Sequence, residues 1–406
     1  MDVRGKRFLI TQNSLVHLAG SELVTFELAR FLQESGATVV VYNYYSGEPI
    51  QKYFVDAGIR LITDSNPDLH ASDFDYVWVH HQVIPQSFTL ELASKQNRHH
   101  PTFIFHHMSP LPTFPIERPY IYDLENRLSS RSLFVSKGVE AAVSPLIASS
   151  VSKMLFCNPA PPEFAQYNFE PSHSLKKLLI VSNHPPREVQ EMRGILRRMG
   201  VESIVLGEGG EDREPITPSL LASFDAVVTV GKTVQYCLSM GMPVYIYDIR
   251  GAAGYLDDDN FEQAAWYTFS GRNNPGQLSP MALANDIASG YGTAVEYHQL
   301  HRGEFIRLYS IDNVLPTVLD VNKKDIKPFS ERYRDYVVTA QSFAQERITW
   351  AAQLDHQLLQ SRDEVVRLNR RLTRYENVTN VAERLARPVR YVRKIGGYIR
   401  RRWRPS

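Results

Sequence analysis

GKTVQYCLSMGMPVYIYD (residues 231–248) directly follows the apolar run Ala226 to Val230. The apolar run predicts a buried strand, the residues at 231–233 a turn, and the segment after them a helix. Gly241 ends that helix, and Pro243 precedes a second buried strand over Val244 to Asp248. This order of strand, turn, helix and strand predicts a parallel α/β unit.

The turn places polar residues at a helix N-terminus. Backbone N–H groups there lack helical partners and carry partial positive charge, so the turn suits a phosphate group. Lys232 and Thr233 stand where an anion would be held, with Gly231 before them and Gln235 after them. The alternative is an ordinary connection with no ligand, because every doubly wound domain has several such turns.

Residues 1–165 show the same alternation of strand and helix. The apolar run Phe8 to Ile10 leads through a polar loop to a helix that begins near Ser21 and ends at Gly36. Further buried strands, spaced by helix-length segments, are predicted at Thr38 to Tyr42, Tyr76 to Val79, Thr102 to Phe105 and Ser132 to Val135. This pattern is typical of a parallel sheet that is covered on both faces.

Residues 166–322 restart the alternation after a proline-rich hinge at 159–162. Strands are predicted at Lys177 to Val181, Ser203 to Leu206, Ala226 to Val230 and Val244 to Asp248. The predicted fold class is therefore α/β, with two consecutive Rossmann-like, doubly wound domains. Since ligands of such sheets bind at the carboxyl ends of the strands, the cleft between the domains is the expected functional site.

Beyond a linker and helix start at 323–346, residues 347–378 have the spacing of a coiled coil. Side chains at intervals of three and four form a seam with one polar position: Ala351, Leu354, Leu358, Ser361, Val365, Leu368, Leu372 and Tyr375. The seam predicts a homodimer or pairing with a partner enzyme. The alternative is a helix that lies back on its own domain.

The segment 379–406 is a basic amphipathic tail. Residues 381–406 carry nine Lys or Arg and one acid, a charge of +8, so in a chain of net charge +1 the other 380 residues carry −7. Leu385, Val392, Ile399 and Trp403 stand among the arginines at near-helical spacing. This pattern predicts peripheral contact with an anionic membrane surface, the alternative being a disordered basic end that touches RNA. The acidic body argues against a protein that engulfs nucleic acid.

Several classes of protein are excluded by composition. The run Phe8 to Ile10 is too short for a signal peptide, and no apolar run reaches the length that spans a membrane. Two cysteines, Cys157 and Cys237, cannot build a disulfide framework. No cluster of residues has metal-ligand spacing, so no metal site is expected. We expect a cytosolic protein.

The segments in this order resemble the GT-B glycosyltransferases, in particular those with a Gly-Gly-Ala-Glu type of loop that build bacterial surface polysaccharides. The resemblance spans roughly residues 6–320. It rests on Leu18-Ala19-Gly20-Ser21-Glu22, Asp75 to His81, Phe103 to His107, Leu133 to Ser136, Asn158 to Ala160, Leu179 to Pro186, Val205 to Gly209, residues 226–248 and Phe305 to Leu319.

This resemblance implies that the second domain binds a nucleotide-sugar as substrate, that the first binds the acceptor, and that no cofactor is needed. A departing nucleotide diphosphate gathers negative charge, so N–H groups, Lys or Arg must face it. The candidate donor-binding residues are Asn183, Arg187, Glu208, Gly231, Lys232, Thr233 and Gln235, with Gly20 and Ser21 as a loop for the phosphate or the acceptor.

The chain departs from the family pattern in two segments. After the first strand of the second domain, members tend to have a Gly-Arg pair and a lysine, where this chain has Ser182 to Arg187. The other segment contains two glutamates in the family. Retaining members usually have two glutamates eight positions apart, where this chain has Val228 and Tyr236, and the second glutamate normally holds the ribose. Either Gln235, Glu208 and Asn183 supply substitute hydrogen bonds, or the fold has lost or altered its activity.

A general base is sought among five histidines of the first domain: His17, His80, His81, His106 and His107. Histidine suits proton removal from a sugar hydroxyl because its pKa lies near neutrality. His107, at the end of a strand, and His17, in the loop before the first helix, are the candidate catalytic residues. Structural hydrogen bonding is the alternative role for each.

The sequence therefore predicts a glycosyltransferase that moves a sugar from a nucleotide-sugar to a glycan or lipid-linked acceptor in cell-surface polysaccharide biosynthesis, at the inner face of the cell membrane. Two alternatives stay open. One is a catalytically silent GT-B-like scaffold subunit that recruits partners through the coiled coil. The other is a nucleotide-sugar epimerase, which needs no acceptor.

Overall fold

The structure is a computed structural model. It describes residues 2–63, 69–94, 100–112, 117–121, 123–207, 215–272 and 276–402, and for 369, 370 and 372–402 it describes the backbone alone. By compactness the chain divides into two units, Met1–Thr349 and Trp350–Ser406.

The first half of Met1–Thr349 contains a seven-stranded parallel sheet. Its strands are β1 (Arg7–Leu15), β2 (Thr38–Ser46), β3 (Arg60–Ile62), β4 (Tyr76–His80), β5 (Thr102–His107), β6 (Ser129–Phe134) and β7 (Ser152–Leu155), in the order β3-β2-β1-β4-β5-β6-β7. The helices α1 (Gly20–Glu34), α2 (Ile50–Asp56), α3 (Gln86–Ala93), α4 (Leu124–Leu128) and α5 (Lys137–Val143) connect them. The order reverses at β1, as in doubly wound folds, and the predicted fold class is confirmed for this half.

Both faces of this sheet are covered. Along β4, Val77 and Val79 lie in the core on one face, while Trp78 lies in the core on the other. Successive side chains of a strand point to opposite faces, so a strand buried on both faces is apolar throughout. This is why the apolar runs were recognisable in the sequence.

The second half has a smaller sheet of five strands, β8 (Lys177–Val181), β9 (Glu202–Leu206), β10 (Ala226–Thr229), β11 (Val244–Asp248) and β12 (Gly251–Tyr255), in the order β12-β11-β10-β8-β9. All pairs are parallel except β11 with β12. Its helices are α6 (Pro162–Gln166), α7 (Arg187–Arg198), α8 (Pro218–Leu221), α9 (Lys232–Met240), α10 (Phe261–Trp266) and α11 (Pro280–Tyr309).

The unit quoted at the outset folds as predicted. Gly241 ends α9 in the left-handed conformation, with φ 72°, which glycine adopts without the strain that a Cβ brings. β8 and β11 have their predicted bounds. The sequence missed β3, β7 and β12, because none of these edge or near-edge strands has a long apolar run.

The chain returns to the first half earlier than expected. α12 (Ile311–Leu319) packs Leu315 and Val318 into the same core as Phe8, although the sequence assigned residues up to 322 to the second domain. The predicted linker at 323–346 is also packed: Phe329, Val337 and Ala344 belong to the core on the other face. An apolar helix face shows that a helix is buried, but not against which of two domains.

α13 (Glu331–Arg402) starts in the first unit, and its continuation from Trp350 to Arg402 belongs to the second unit. Seam positions of the predicted coiled coil are solvent-exposed: Leu354 by 46%, Leu358 by 50%, Val365 by 55% and Leu368 by 50%. The long helix is confirmed, and its pairing stays a prediction. Side chains of the basic tail lie outside the described residues. None of the described helices has an apolar stretch long enough to cross a membrane.

Candidate functional site

A cavity of about 180 Å³ lies between the two halves of Met1–Thr349, at the carboxyl ends of the strands of the second sheet. One wall is formed by α1, through Leu23, Phe26, Glu27 and Arg30. The opposite wall consists of Asn183 after β8, Gly207 after β9, the segment 215–218, and Thr233 and Tyr236 on α9. This is the edge of an open parallel sheet where ligands bind.

The first turn of α9 is directed partly into this cavity. Gly231 caps the helix with φ 67° and ψ −132°, and its N–H donates to the carbonyl of Phe269 at 3.0 Å. A Cβ at this position would meet no atom within 4 Å, so space around the turn is open. Thr233 lines the cavity. The predicted turn is thus present, with one of its two polar side chains at the site.

Lys232, the other polar side chain of the turn, is turned inward. Its Nζ donates to the carbonyls of Asn158 at 2.9 Å and Pro159 at 2.5 Å, and lies 2.8 Å from Oε2 of Glu27. Burial lowers the pKa of this ammonium group, and the Glu27 carboxylate acts in the opposite direction. The arrangement does not support a phosphate contact by Lys232, because the ammonium is buried among protein acceptors.

Tyr236 occupies the position at which the resemblance implies a glutamate. Its hydroxyl donates to Oε1 of Glu27, from the facing half. Burial raises the pKa of the Tyr236 hydroxyl far above its usual range, and the neighbouring Glu27 carboxylate raises it further. Phe164 stacks on the tyrosine ring, with 4.2 Å between centroids. A carboxylate is thus present beside position 236, but α1 provides it.

A second ion pair lies one helical turn further along α1. Arg30 bonds to Glu163 of α6, and both side chains line the same cavity. These side chains are 32% and 43% exposed, so their pair is more hydrated than the pair of Glu27 and Lys232, whose side chains are 10% and 4% exposed. The two pairs join α1 to the second half.

The other predicted donor-binding residues are dispersed. Asn183 lines the cavity. Arg187, at the start of α7, has an 89% exposed side chain that pairs with Glu191 at 2.7 Å. Gln235 is buried, and with its amide oriented to satisfy its surroundings, Nε2 donates to the carbonyls of Gly231 and Lys232. Gln235 contributes instead to a second cavity of about 520 Å³. Glu208 lies outside the described residues.

The loop before α1 is held by Glu22. The Glu22 carboxylate accepts hydrogen bonds from the N–H groups of Val16 at 2.6 Å and His17 at 3.0 Å. Burial raises the pKa of Glu22 to about 7, although these N–H donors act in the opposite direction. Glu22 is the third residue of the helix and also accepts from the N–H of the N-cap residue Ala19, which is the glutamate's half of a capping box; Ala19 provides no side-chain cap in return. Gly20 and Ser21 therefore sit on a fixed first turn of α1.

His107 is buried and bonded to Glu125, with 2.9 Å between Nε2 and Oε1. Ser132 donates to the same carboxylate oxygen at 2.5 Å. A carboxylate that accepts the Nε2 proton places the imidazole lone pair on Nδ1. His17 lies in the loop that Glu22 holds, so the two histidines belong to different parts of the first half.

Three further histidines form a buried cluster with Trp78. Trp78 donates through Nε1 to Nε2 of His80 at 3.0 Å, and Nδ1 of His106 lies 3.1 Å from the same nitrogen. Burial lowers the pKa of His80 far below its usual range, that of His106 to about 3, and that of His81 below its usual range as well. At neutral pH these three rings are uncharged.

Among the described residues, no group of three His, Cys, Asp or Glu side chains is placed to hold a metal ion. Sequence reasoning missed Glu27, Glu125 and Phe164. Glu27 carries a weak signal, a charged residue in the otherwise apolar run of α1, but its partner is 209 residues away at Tyr236. The sequence contains no pattern that would pair them.

Neither a protein-family model nor a curated protein sequence matches the chain. Several solved structures, by contrast, are similar to this chain. HepE (Alr3699) of Anabaena, in complex with UDP and glucose, is similar over 77% of this chain and 98% of its own, at 14% identity and a TM-score of 0.51. A glycosyltransferase from Rickettsia africae is similar over 78% of this chain and 97% of its own, at 13% identity and a TM-score of 0.48. The likeness to HepE shows that this chain has the GT-B fold.

Proposed function

We propose that the chain is a glycosyltransferase that moves a sugar from a nucleotide-sugar to a glycan or lipid-linked acceptor in cell-surface polysaccharide biosynthesis. The observation that carries the proposal is the cavity between the two halves, at the carboxyl ends of β8, β9 and β10. The GT-B fold places a ligand site in such a cleft, and HepE, which shares the fold, was solved with UDP and glucose.

The donor would lie with its phosphates near the first turn of α9, where N–H groups of a helix N-terminus and the Thr233 hydroxyl could contact them, whereas the Gly231 N–H is already bonded to the Phe269 carbonyl. Asn183 and the loop of Gly20 and Ser21 complete the polar surroundings in this proposal. At about 180 Å³ the cavity is smaller than the roughly 300 Å³ of a typical ligand pocket, so the proposal requires the two halves to separate further to admit the whole donor.

His107 stays the first candidate for the base that takes the proton of the acceptor hydroxyl; it is 3% exposed and is not among the residues that line the cavity. The hydrogen bond with Glu125 orients the ring, as carboxylates do for catalytic histidines. His17 is the second candidate, since its loop adjoins α1. In this proposal the basic tail holds the enzyme beside a membrane-bound acceptor through its arginines and apolar side chains.

A catalytically silent scaffold is the second candidate. The observation in its favour is that Val228 and Tyr236 are both buried and not acidic, while Lys232 of the turn is occupied by protein acceptors. Such a protein would have no saturable nucleotide site.

A thermal-shift titration with UDP, GDP, dTDP and CDP separates these candidates. A ligand that binds only the native state raises the melting temperature. At a ligand concentration of one hundred times the Kd, it adds about 2.7 kcal/mol to the free energy of unfolding. We expect one nucleotide to stabilise the protein, and Thr233→Val and Asn183→Ala to weaken that effect. Thr38→Val, at the amino end of β2, is the matched control.

No shift with any of the four at millimolar concentration would contradict the enzyme proposal and favour the scaffold. A second measurement, nucleotide release from the matching nucleotide-sugar, then identifies the reaction. A transferase releases nucleotide when acceptor is added, and an epimerase releases none. Deleting residues 381–406 should abolish co-sedimentation with anionic vesicles, and unchanged binding would contradict the membrane role of the tail.

A further inference from the structure

The second cavity, of about 520 Å³, lies where α10 and α11 of the second half face β7 and the start of α5 in the first half. Its volume falls within the roughly 300–1,000 Å³ of pockets that hold small molecules. The proposed positions of the donor phosphates and of the candidate bases leave this space unused. It is therefore large enough for a ligand of its own.

The interior of this cavity is apolar and mainly aromatic. The ring of Phe261 lies 5.2 Å from that of Phe305 and 5.7 Å from that of Phe269, measured between centroids. Val135 and Phe156 close the cavity from the first half, and both are buried. Such a wall gains free energy by covering apolar surface of a ligand.

Polar side chains of the wall are bonded within the protein. The Ser136 hydroxyl donates to the carbonyl of Trp266 at 2.9 Å, and Oγ1 of Thr268 lies 3.5 Å from the same hydroxyl oxygen. Nε2 of Gln235 donates to carbonyls of its own helical turn. A sugar moved from water into this interior would lose hydrogen bonds that these groups do not replace, whereas a hydrocarbon chain loses none. The wall therefore favours a hydrocarbon chain.

The exposed side chains around the cavity carry charges of both signs. Arg307 lies 3.5 Å from Glu304, and His301 lies 3.6 Å from Asp258. Lys137 and Glu262 add one charge of each sign. Because opposite charges lie together, this rim favours neither an anion nor a cation. It suits a ligand whose chain enters the cavity while its polar end stays in water.

The second cavity adjoins the first turn of α9. Gln235 lines it, whereas Thr233, two residues earlier, lines the first cavity. Residues of an α-helix rise by about 1.5 Å each, so the two walls meet within one turn. The backbone joins them as well, because the carbonyl of Phe269 in the second wall accepts the N–H of Gly231. A ligand in the second cavity thus lies beside the turn where the donor phosphates are proposed.

We propose that the second cavity binds the hydrocarbon chain of a lipid-linked acceptor, an assignment of the occupant that rests on the proposed function. The chain packs on the aromatic interior between the two halves, and the glycan end leaves through the charged rim. The acceptor is thereby held by its lipid, and not only by its sugar.

The test measures binding of dodecyl phosphate and hexyl phosphate to the full chain by isothermal titration calorimetry, below the concentration at which either forms micelles. We expect dodecyl phosphate to bind about tenfold or more tightly than hexyl phosphate, because each further methylene is buried. Leu308→Asp places a charge in the cavity wall and should weaken dodecyl phosphate binding by about tenfold.

The matched control is Leu300→Asp. Leu300 lies on the same helix, is 80% exposed and does not line the cavity, so its substitution should leave the affinity within about twofold. Both variants keep the basic tail, so any binding of the alkyl phosphate to the tail is common to them. Only binding in the cavity distinguishes Leu308→Asp from Leu300→Asp.

A second pair of variants acts through volume instead of charge. Ala265→Phe on α10 fills part of the cavity with an apolar ring and should weaken binding of dodecyl phosphate more than that of hexyl phosphate. Gln263→Phe, exposed on the same short helix and outside the lining, is its control. This pair decides the question if Leu308→Asp fails to fold.

The outcomes separate this inference from the proposed function. Nucleotide binding in the thermal-shift screen, with equal affinity of the wild type and both wall variants for dodecyl phosphate, would overturn the inference and leave the proposed function standing. Equal affinity of the wild type for the two alkyl phosphates would overturn it as well. A clear effect of the wall variants without any nucleotide binding would contradict the proposed function, and with it the assignment of the chain to an acceptor.

Discussion

The Nζ of Lys232 on α9 lies 2.8 Å from Oε2 of Glu27 on α1, and both side chains are buried. The pair joins the two halves of the fold at the candidate site. Removing one partner of such a pair leaves an uncompensated buried charge. This relationship makes stability measurements informative about the site.

Lys232→Met should lower the free energy of unfolding by about 3–5 kcal/mol, because Glu27 then stays buried without its counter-charge. Urea titration measures the loss. Glu27→Gln combined with Lys232→Met should recover much of it. Lys52→Met, in an exposed pair with Asp56, is the control and should change stability by no more than about 0.5 kcal/mol. Equal losses of stability in Lys232→Met and Lys52→Met would contradict the conclusion that Lys232 and Glu27 form a buried ion pair.

Gly207→Ala should destabilise the protein more than Gly231→Ala. Both glycines have positive φ, 126° and 67°, so each substitution incurs backbone strain of about 1–3 kcal/mol. A Cβ at position 207 would in addition lie 2.3 Å from the carbonyl oxygen of Ser182, whereas one at 231 meets nothing within 4 Å. Thermal unfolding of both variants checks the order, and the reverse order would show that the turn at 231 is more crowded.

Acidification should destabilise the folded chain through the buried histidines. Burial lowers the pKa of His106 to about 3, while in the unfolded chain it is about 6.5. Between these pH values the unfolded chain binds a proton that the folded chain does not, so stability falls as pH falls, by up to about 1.4 kcal/mol per pH unit for each such histidine. Urea titrations between pH 5 and 8 measure the slope.

The comparison that isolates this effect is His106→Asn against wild type, with the exposed His184→Asn as control. The contribution of Glu22 to stability has the opposite dependence on pH. Its pKa is raised to about 7, so its contribution is fully present below about 4.5 and is lost as pH rises through 7. An unchanged slope in His106→Asn would show that folding does not lower the pKa of His106.

Glu22→Ala should lower stability by about 1–3 kcal/mol, because the N–H groups of Val16 and His17 lose their acceptor. Glu22→Gln keeps an acceptor oxygen and should cost less. Hydrogen exchange at these two amides gives the direct readout, since their protection should drop in Glu22→Ala. Glu34→Ala, exposed at the other end of α1, should leave both amides protected.

Leu358→Glu and Val365→Glu should reduce the oligomer that the predicted coiled coil forms, since each places a charge in the apolar seam. Sedimentation equilibrium of the full chain measures the mass. Both positions are half exposed within the single chain, so folding of Met1–Thr349 should be unaffected. Gln357→Glu, beside the seam, is the control. A monomeric wild type would contradict self-association through this helix.

Much of the fold was predictable because its signals are local. Strands of a parallel sheet buried on both faces are continuous apolar runs, and glycines such as Gly241 mark helix ends by their conformation alone. Of the candidate site, the turn at Gly231 and the positions of Thr233 and Asn183 beside the cavity were predictable on the same basis. The direction of the Lys232 side chain was not, because its acceptors come from segments distant in sequence.

The sequence by itself determined the two α/β halves, the long C-terminal helix and the basic tail, since periodicity and composition act over short stretches of chain. Only the tertiary structure decided that α12 and the start of α13 pack on the first half, and that Glu27 meets Tyr236 across 209 residues. The physical reason is that an apolar face or a lone charge specifies burial or pairing but not its partner. The packing of the two halves determines which residue becomes that partner.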